Sequence, residues 1–348
     1  MRARTASPLF LMIALAAGSC QSGEVPGDAR IAEAWRSNPD RGDNLDSLAI
    51  WQGSGGQRWV IGTGKATDRL TVHDLETGSL VRHVGGPGSG PGQLSRPNGI
   101  AVAGDLLFVV ERDNHRVQTF RLPGFEPLGW FGENELRKPY GLTLLEQGHG
   151  RLEIWVTDDF DAPASGPELG QRLRRYLVET SGPQVTARAL GAAGATEGPG
   201  ALLKVESIQA DPERKLLLVA DETGRSLDIY DLEGRFTGRQ VQGLFDADPE
   251  GIVLYHCPDG GGYWVTTEQR HARTRFHVLD RKTLQPLGVF TGEQTGNTDG
   301  IALTQEGSPR FPQGALLAVH DDRAVTAFDW KEIAAGLKLR ECPESPLP

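Results

Sequence analysis

The sequence predicts an all-β fold, a six-bladed β-propeller of four-stranded antiparallel blades, on three observations. An apolar run ending beside an aromatic or charged residue recurs at residues 70–74, 117–120, 173–176, 227–231, 276–280 and 325–329. From His73 through Phe120, Tyr176, Tyr230 and Leu279 to Phe328 the steps are 47, 56, 54, 49 and 49 residues, near the ~40–50 residues of a propeller blade. Each recurrence follows a near-continuous apolar run, at 59–62, 106–110, 152–156, 216–220, 263–266 and 315–319, the pattern of strands buried on both faces. Ahead of those stand six first strands beginning near Ala49, Gly99, Gly141, Ser207, Gly251 and Gly300. The chain also carries 45 Gly and 22 Pro in 348 residues, enough for many turns around one large core. A β-sandwich does not predict this register.

In chain order, residues 1–19 read as an export signal. Arg2 and Arg4 precede an apolar stretch at 9–17 that is too short to span a bilayer. Ala17-Gly18-Ser19-Cys20 resembles a bacterial lipobox, which would make Cys20 a lipidated N-terminus followed by a polar tether to residue 43; ordinary signal-peptidase cleavage is the alternative. The expectation is therefore an exported protein, either an envelope lipoprotein touching the membrane only through its anchor or a secreted one. The propeller is expected over 44–336, with a short helix at 330–337 closing the last blade and a C-terminal tail over 337–348. Cys257 and Cys342 either form a disulfide, as an oxidising compartment permits, or remain free thiols. A net charge of −10 argues against a nucleic-acid surface and suits a monomer that handles cations.

The residue before each inner strand should stand at one rim of the central channel. Those residues are Asp46, Asn98, Tyr140, Glu206, Glu250 and Asp299, four of them followed by Gly, read here as easing a tight turn. The ends of the second strands add Glu111, Asp158, Asp159, Asp221, Glu222, Glu268, Gln269, Asp321 and Asp322. Carboxylates aimed at one axis repel unless their pKa values rise or a metal neutralises them. All-oxygen ligands without clustered His or Cys suit a hard ion such as Ca²⁺. Lys65 and Arg112 follow the second strands of blades one and two, with Arg116, Lys204 and Arg270 nearby, so cations and basic groups together would favour a polyanion. Arg112 and Arg116 could instead simply pair with Asp113 and Glu111. No convincing P-loop and no Gly-x-Ser-x-Gly elbow occurs, and the eight histidines are scattered.

Several stretches resemble the β-propeller phytases, the calcium-dependent 3-phytase family. They are Asp248-Pro249-Glu250-Gly251 through Gly262-Tyr263-Trp264 to Gln269, Asp280-Arg281, Asn297-Thr298-Asp299-Gly300-Ile301, Phe311-Pro312-Gln313-Gly314 and Val319-His320-Asp321-Asp322. Blade two, from Pro97-Asn98-Gly99-Ile100 to Asn114-His115-Arg116-Val117, looks instead like an NHL repeat. The phytase resemblance implies Ca²⁺ as cofactor, held by Asp46, Tyr140, Glu206, Glu222, Glu250, Gln269 and Asp299 with Asp248 beside them. It implies Lys65 and Arg112 as phosphate-binding cations, Glu222 and Glu250 as participants in catalysis, and phytate or another polyphosphorylated small molecule as substrate. The family's Asp-Asp-Pro-Ala stands here as Asp46-Ser47-Leu48-Ala49 and its Glu-Gly as Glu206-Ser207, while a further family lysine meets Asp158-Asp159 and an insertion at 162–173. The alternative is a weak or inactive phytase-like or NHL-like propeller that binds calcium, polyanions or an envelope partner.

Overall fold

A computed structural model describes residues 27–342. The export signal, Cys20 and the start of the tether lie outside the described residues. Within them the chain forms six antiparallel sheets around one axis, the predicted six-bladed propeller. The innermost strands are Leu45–Gln52, Pro97–Ala103, Pro139–Gly148, Val205–Asp211, Pro249–His256 and Ile301–Thr304. Second strands such as Leu106–Glu111 and Ala315–His320 are buried almost throughout, as their apolar runs require. The outermost strands Leu80–Gly85 and Thr186–Ala193 are mostly exposed.

Apolar side chains collect between blades rather than on the axis. Six separate clusters fill the six gaps, for example Phe108, Ile154 and Tyr176 between blades two and three, and Leu217, Trp155 and Tyr230 between three and four. Since a blade buries each face only against a neighbour, the ring is stable only when closed.

Closure uses residues that the sequence suggests are a tether. Trp35–Arg36 pairs antiparallel with Ala324–Asp329 and supplies the fourth strand of blade six. Trp35 is buried in the cluster between blades six and one, and its indole N–H donates to Leu75 O at 2.9 Å. Asp28–Arg30 adds a fifth strand, parallel to Pro286–Thr291 of blade five. The propeller therefore begins at Asp28, not at residue 44. The C-terminal tail is also tied in: helix Trp330–Gly336 is N-capped by Asp329, and Cys342 forms a disulfide with Cys257. No helix among the described residues is long and apolar enough to cross a membrane.

One local feature aims the rim residues. In five blades the inner strand carries two residues opposite one of the second strand, as between Leu45 and Leu48 and between Pro249 and Ile252. Such a bulge re-aims side chains, and here its two residues are the rim residue and the Gly or Ser after it. The glycines are not needed for a tight turn. A Cβ on Gly141 would stand 2.1 Å from Glu206 O, and one on Gly300 2.4 Å from Asp46 O, so the next blade's backbone occupies the space. The hydroxyl of Thr157 fixes the first of these junctions, accepting from Gly141 N at 2.8 Å and donating to Glu206 O at 3.2 Å, and Thr63 does the same between blades one and two, with Ser47 N at 3.0 Å and Asn98 O at 2.7 Å.

Gly141→Ala should therefore cost about 1–3 kcal/mol through overpacking, read as a lower urea midpoint. A midpoint equal to that of the unsubstituted protein would contradict this packing of inner strands.

Candidate metal centre

The six inner strands enclose an axial cavity of about 340 Å³, with Asp46, Tyr140, Glu206, Glu250 and Asp299 at one end and apolar residues such as Ile100, Leu142, Ile252 and Leu303 along its walls. The second strands bring Lys65, Glu222 and Gln269 to the same end. Seven of the eight predicted metal ligands thus meet at one mouth.

They form two groups. In the first, Asp46 Oδ1 accepts from Tyr140 OH at 2.8 Å and from Lys65 Nζ at 2.7 Å, while Lys65 also reaches Asp299 Oδ2 at 3.1 Å. Gln269 Nε2 donates to the other oxygen of Asp299. Tyr140 crosses from blade three to blade one, and between them in sequence Asn98 of blade two is wholly buried with neither end of its amide partnered. In the second group, Glu206, Glu222 and Glu250 each offer a carboxylate oxygen, and these oxygens lie within 4.8 Å of one another. Lys204 is paired with Glu222 Oε2 and lies 3.4 Å from Glu206 Oε1. Glu250, only 6% exposed, has no protein hydrogen-bond or ion-pair partner among the described residues, and Glu222 Oε1 is buried without one.

Burial and mutual repulsion both disfavour so many charges. Burial, then Glu206, pushes Glu222 up to about 8. Burial, then Asp46, pushes Asp299 up to about 7 although Lys65 opposes the shift. Glu250 is raised well above the carboxylate range by burial and by Glu206 and Glu222. Burial likewise raises Glu206.

Two predicted site residues stand elsewhere. Asp248 is half-exposed and its nearest ion pair is Arg225 at 3.9 Å. Arg112, 24% exposed, pairs with Asp113 at 2.7 Å, and Arg116 pairs with Glu111 at 2.6 Å, the simpler of the two readings open for these residues.

The carboxylates at the ends of the second strands also divide. Glu111, Asp158, Asp221 and Glu268 are buried caps for the loop entering each blade. Asp158 Oδ1 accepts from Lys138 N at 2.6 Å, Asp221 Oδ2 from Leu203 N at 3.0 Å, and Glu268 Oε1 from Ala247 N at 3.1 Å. The residue one place later turns to the axis, as Glu222 and Gln269 do. Asp159, in that later position, is held by Val205 N at 3.1 Å. The insertion after it includes a short 3₁₀ turn, Pro167–Gln171, and delivers the buried Arg172. Arg172 Nη2 and Nε donate to Leu203 O at 2.6 Å and Leu202 O at 3.1 Å, joining blades three and four. Lys204 is the participant that sequence reading left unassigned. The sequence names it only among the basic residues near the mouth, two places before Glu206.

The donor set fits a hard cation. Three carboxylates have oxygens near enough for one ion with bonds of ~2.3–2.6 Å to reach them all, and the orphaned Glu222 oxygen needs a partner.

The fold and the mouth together define a six-bladed β-propeller with an acid-lined axial centre. Residues 94–120 match the NHL repeat, as read from blade two. Among solved structures the chain is similar to "Kuenenia stuttgartiensis Hydrazine Synthase", at 13% identity and a TM-score of 0.50, with 87% of this chain and 82% of that one covered. It is also similar to the β-propeller domain of Cps50 (Swd1) from Myceliophteria thermophila, at 12% identity and a TM-score of 0.46, with 84% and 98% covered. A search of curated proteins finds no match. At these identities the likeness concerns the fold alone.

A pH prediction follows for metal-free protein. Glu222 binds its proton more tightly folded, at about 8, than at its ordinary 4.5. Its contribution to stability is thus complete below pH 4.5 and is lost as pH rises to about 8. His73 and His277, lowered from 6.5 mainly by burial, act in the opposite sense below that pH. The melting temperature of Glu222→Gln minus that of the unsubstituted protein should therefore grow between pH 4.5 and 8. A pH-independent difference would refute the buried charge at Glu222.

Proposed function

We propose that the protein is a calcium-dependent phosphomonoester hydrolase acting on phytate or a similar polyphosphorylated small molecule. The observation that carries this reading is the Glu206, Glu222 and Glu250 triad with an orphaned, buried oxygen beside the Lys65-bridged Asp46 and Asp299. The resemblance of the Asp248–Gln269 and Asn297–Ile301 stretches to β-propeller phytases supports the substrate class.

Glu206, Glu222 and Glu250 would hold one ion, and Asp46, Asp299, Gln269 and Tyr140 offer oxygens for another. When bound, Ca²⁺ neutralises charge on phosphoryl oxygens and lowers the pKa of a bound water. The residues do the rest. Lys65, little exposed and fixed between two blades, presents a point charge to a phosphate oxygen and screens Asp46 and Asp299 from the approaching polyanion. Tyr140 holds Asp46 through its hydroxyl. Glu250, without protein donors, can accept a hydrogen bond from water at the mouth and orient it for in-line attack. Arg112 would have to leave Asp113 to reach a second phosphate. The apolar channel walls behind the rim leave the reacting group on the solvent side.

A second reading, binding of calcium or polyanions without turnover, is favoured by the commitment of Lys65 and Arg112 to neighbouring carboxylates. Phosphate release from phytate by the purified protein separates the two. Release with Ca²⁺ that chelator abolishes is expected; no release in either condition favours binding alone, and release unaffected by chelator excludes the metal role.

Glu250→Gln keeps the size of the side chain and removes a ligand charge. Calcium-dependent release should fall at least about a hundredfold, the scale on which groups acting directly at a catalytic centre matter, with an unchanged circular dichroism spectrum. Activity within about twofold of the unsubstituted protein would remove Glu250 from the centre.

A further inference from the structure

We propose that Lys204 is an internal counter-ion of the Glu206, Glu222 and Glu250 triad, displaced when a divalent cation enters and then free to bind a phosphate oxygen of the ligand. This rests on the metal-centre reading above.

The two lysines at the mouth are placed differently. Lys65 is 12% exposed and clamped between Asp46 and Asp299. Lys204 is 46% exposed, and its ammonium engages Glu222 and Glu206, two members of the triad that has the orphaned oxygen. Its backbone is held in place, because the N–H donates to Asp221 Oδ1 at 3.2 Å. Only the flexible stem needs to move. Asp46 stands at the same end of the cavity as Glu206 and Glu250, so an ammonium there relieves repulsion when no metal is bound.

The ammonium on Glu222 Oε2 and Glu206 Oε1 competes with a divalent cation for the triad, since like charges a few ångströms apart repel in a partly desolvated site. The exposed side gives Lys204 a route outward. From its fixed Cα it remains within a side-chain length of the mouth. Displacement thus converts a competitor of the metal into a cation for the phosphate, and it links the two binding events: phosphate that captures the released ammonium favours the metal-bound arrangement.

The test is calorimetric titration of the full chain with Ca²⁺. Removing the competitor in Lys204→Gln should tighten Ca²⁺ binding about three- to tenfold, the scale of one or two partly exposed ion pairs, whereas Lys204→Arg, which keeps the charge, should stay nearer the unsubstituted protein. Equal or weaker binding by Lys204→Gln would overturn the proposal. If the unsubstituted protein takes up no Ca²⁺, the metal-centre reading itself falls, a different outcome. Acylation of Lys204 in the unsubstituted protein, read by mass spectrometry, should rise several-fold with Ca²⁺; unchanged labelling overturns displacement even if the variant fails to fold. With Ca²⁺ saturating, inorganic phosphate should bind Lys204→Gln more weakly by about threefold, and equal affinity would overturn the phosphate role.

Discussion

Asp46, Glu206, Glu222, Glu250 and Asp299 converge on the mouth of one channel, largely out of water and close enough to repel. Much of the surrounding structure answers that repulsion. Lys65 bridges two of them and Lys204 another two, Tyr140 and Gln269 donate to Asp46 and Asp299, and the pKa values of Glu206, Glu222, Glu250 and Asp299 rise. One oxygen of Glu222 is buried without a protein partner. A buried acceptor without a partner costs free energy, and the Glu222 oxygen carries that cost beside the other carboxylates of the triad.

That convergence depends on the ring being closed. Each gap between blades holds its own apolar cluster, and the gap between blades six and one is sealed by Trp35 from the N-terminal segment. If the closing strand were released, Asp299 and Asp46 would no longer be fixed side by side, and Lys65, which spans the same junction, would lose one of its two carboxylates. The bulges and the small residues after the rim positions act at the same level. They let neighbouring inner strands approach closely enough for rim side chains from different blades to meet.

Carboxylates at successive positions have opposite roles. Asp221 and Glu268 accept backbone N–H groups and are spent on holding loops, whereas Glu222 and Gln269, one residue later, turn to the axis. Adjacent residues on a strand point to opposite sides, so one step in sequence separates a structural cap from a candidate ligand.

The sequence by itself determined the six-blade architecture, because spacing near 50 residues and doubly buried strands survive in the order of residue types. It also determined the rim set, since one polar residue before each inner strand recurs with the repeat: Asp46, Tyr140, Glu206, Glu250 and Asp299 all stand where that rule puts them. What only the tertiary structure decided depends on contacts without a local pattern. A two-residue strand around Trp35 is too short to carry periodicity, so the closing segment read as a tether. Asp248 and Arg112 have suitable chemistry and position in the chain, yet their side chains meet Arg225 and Asp113. Lys204 shares its place on the loop entering a blade with Arg96 and Lys138, and its role emerges only where blade four brings Glu206 and Glu222 to the same ammonium. Periodicity records which face a strand buries; which charge meets which across blades is set by the closed ring.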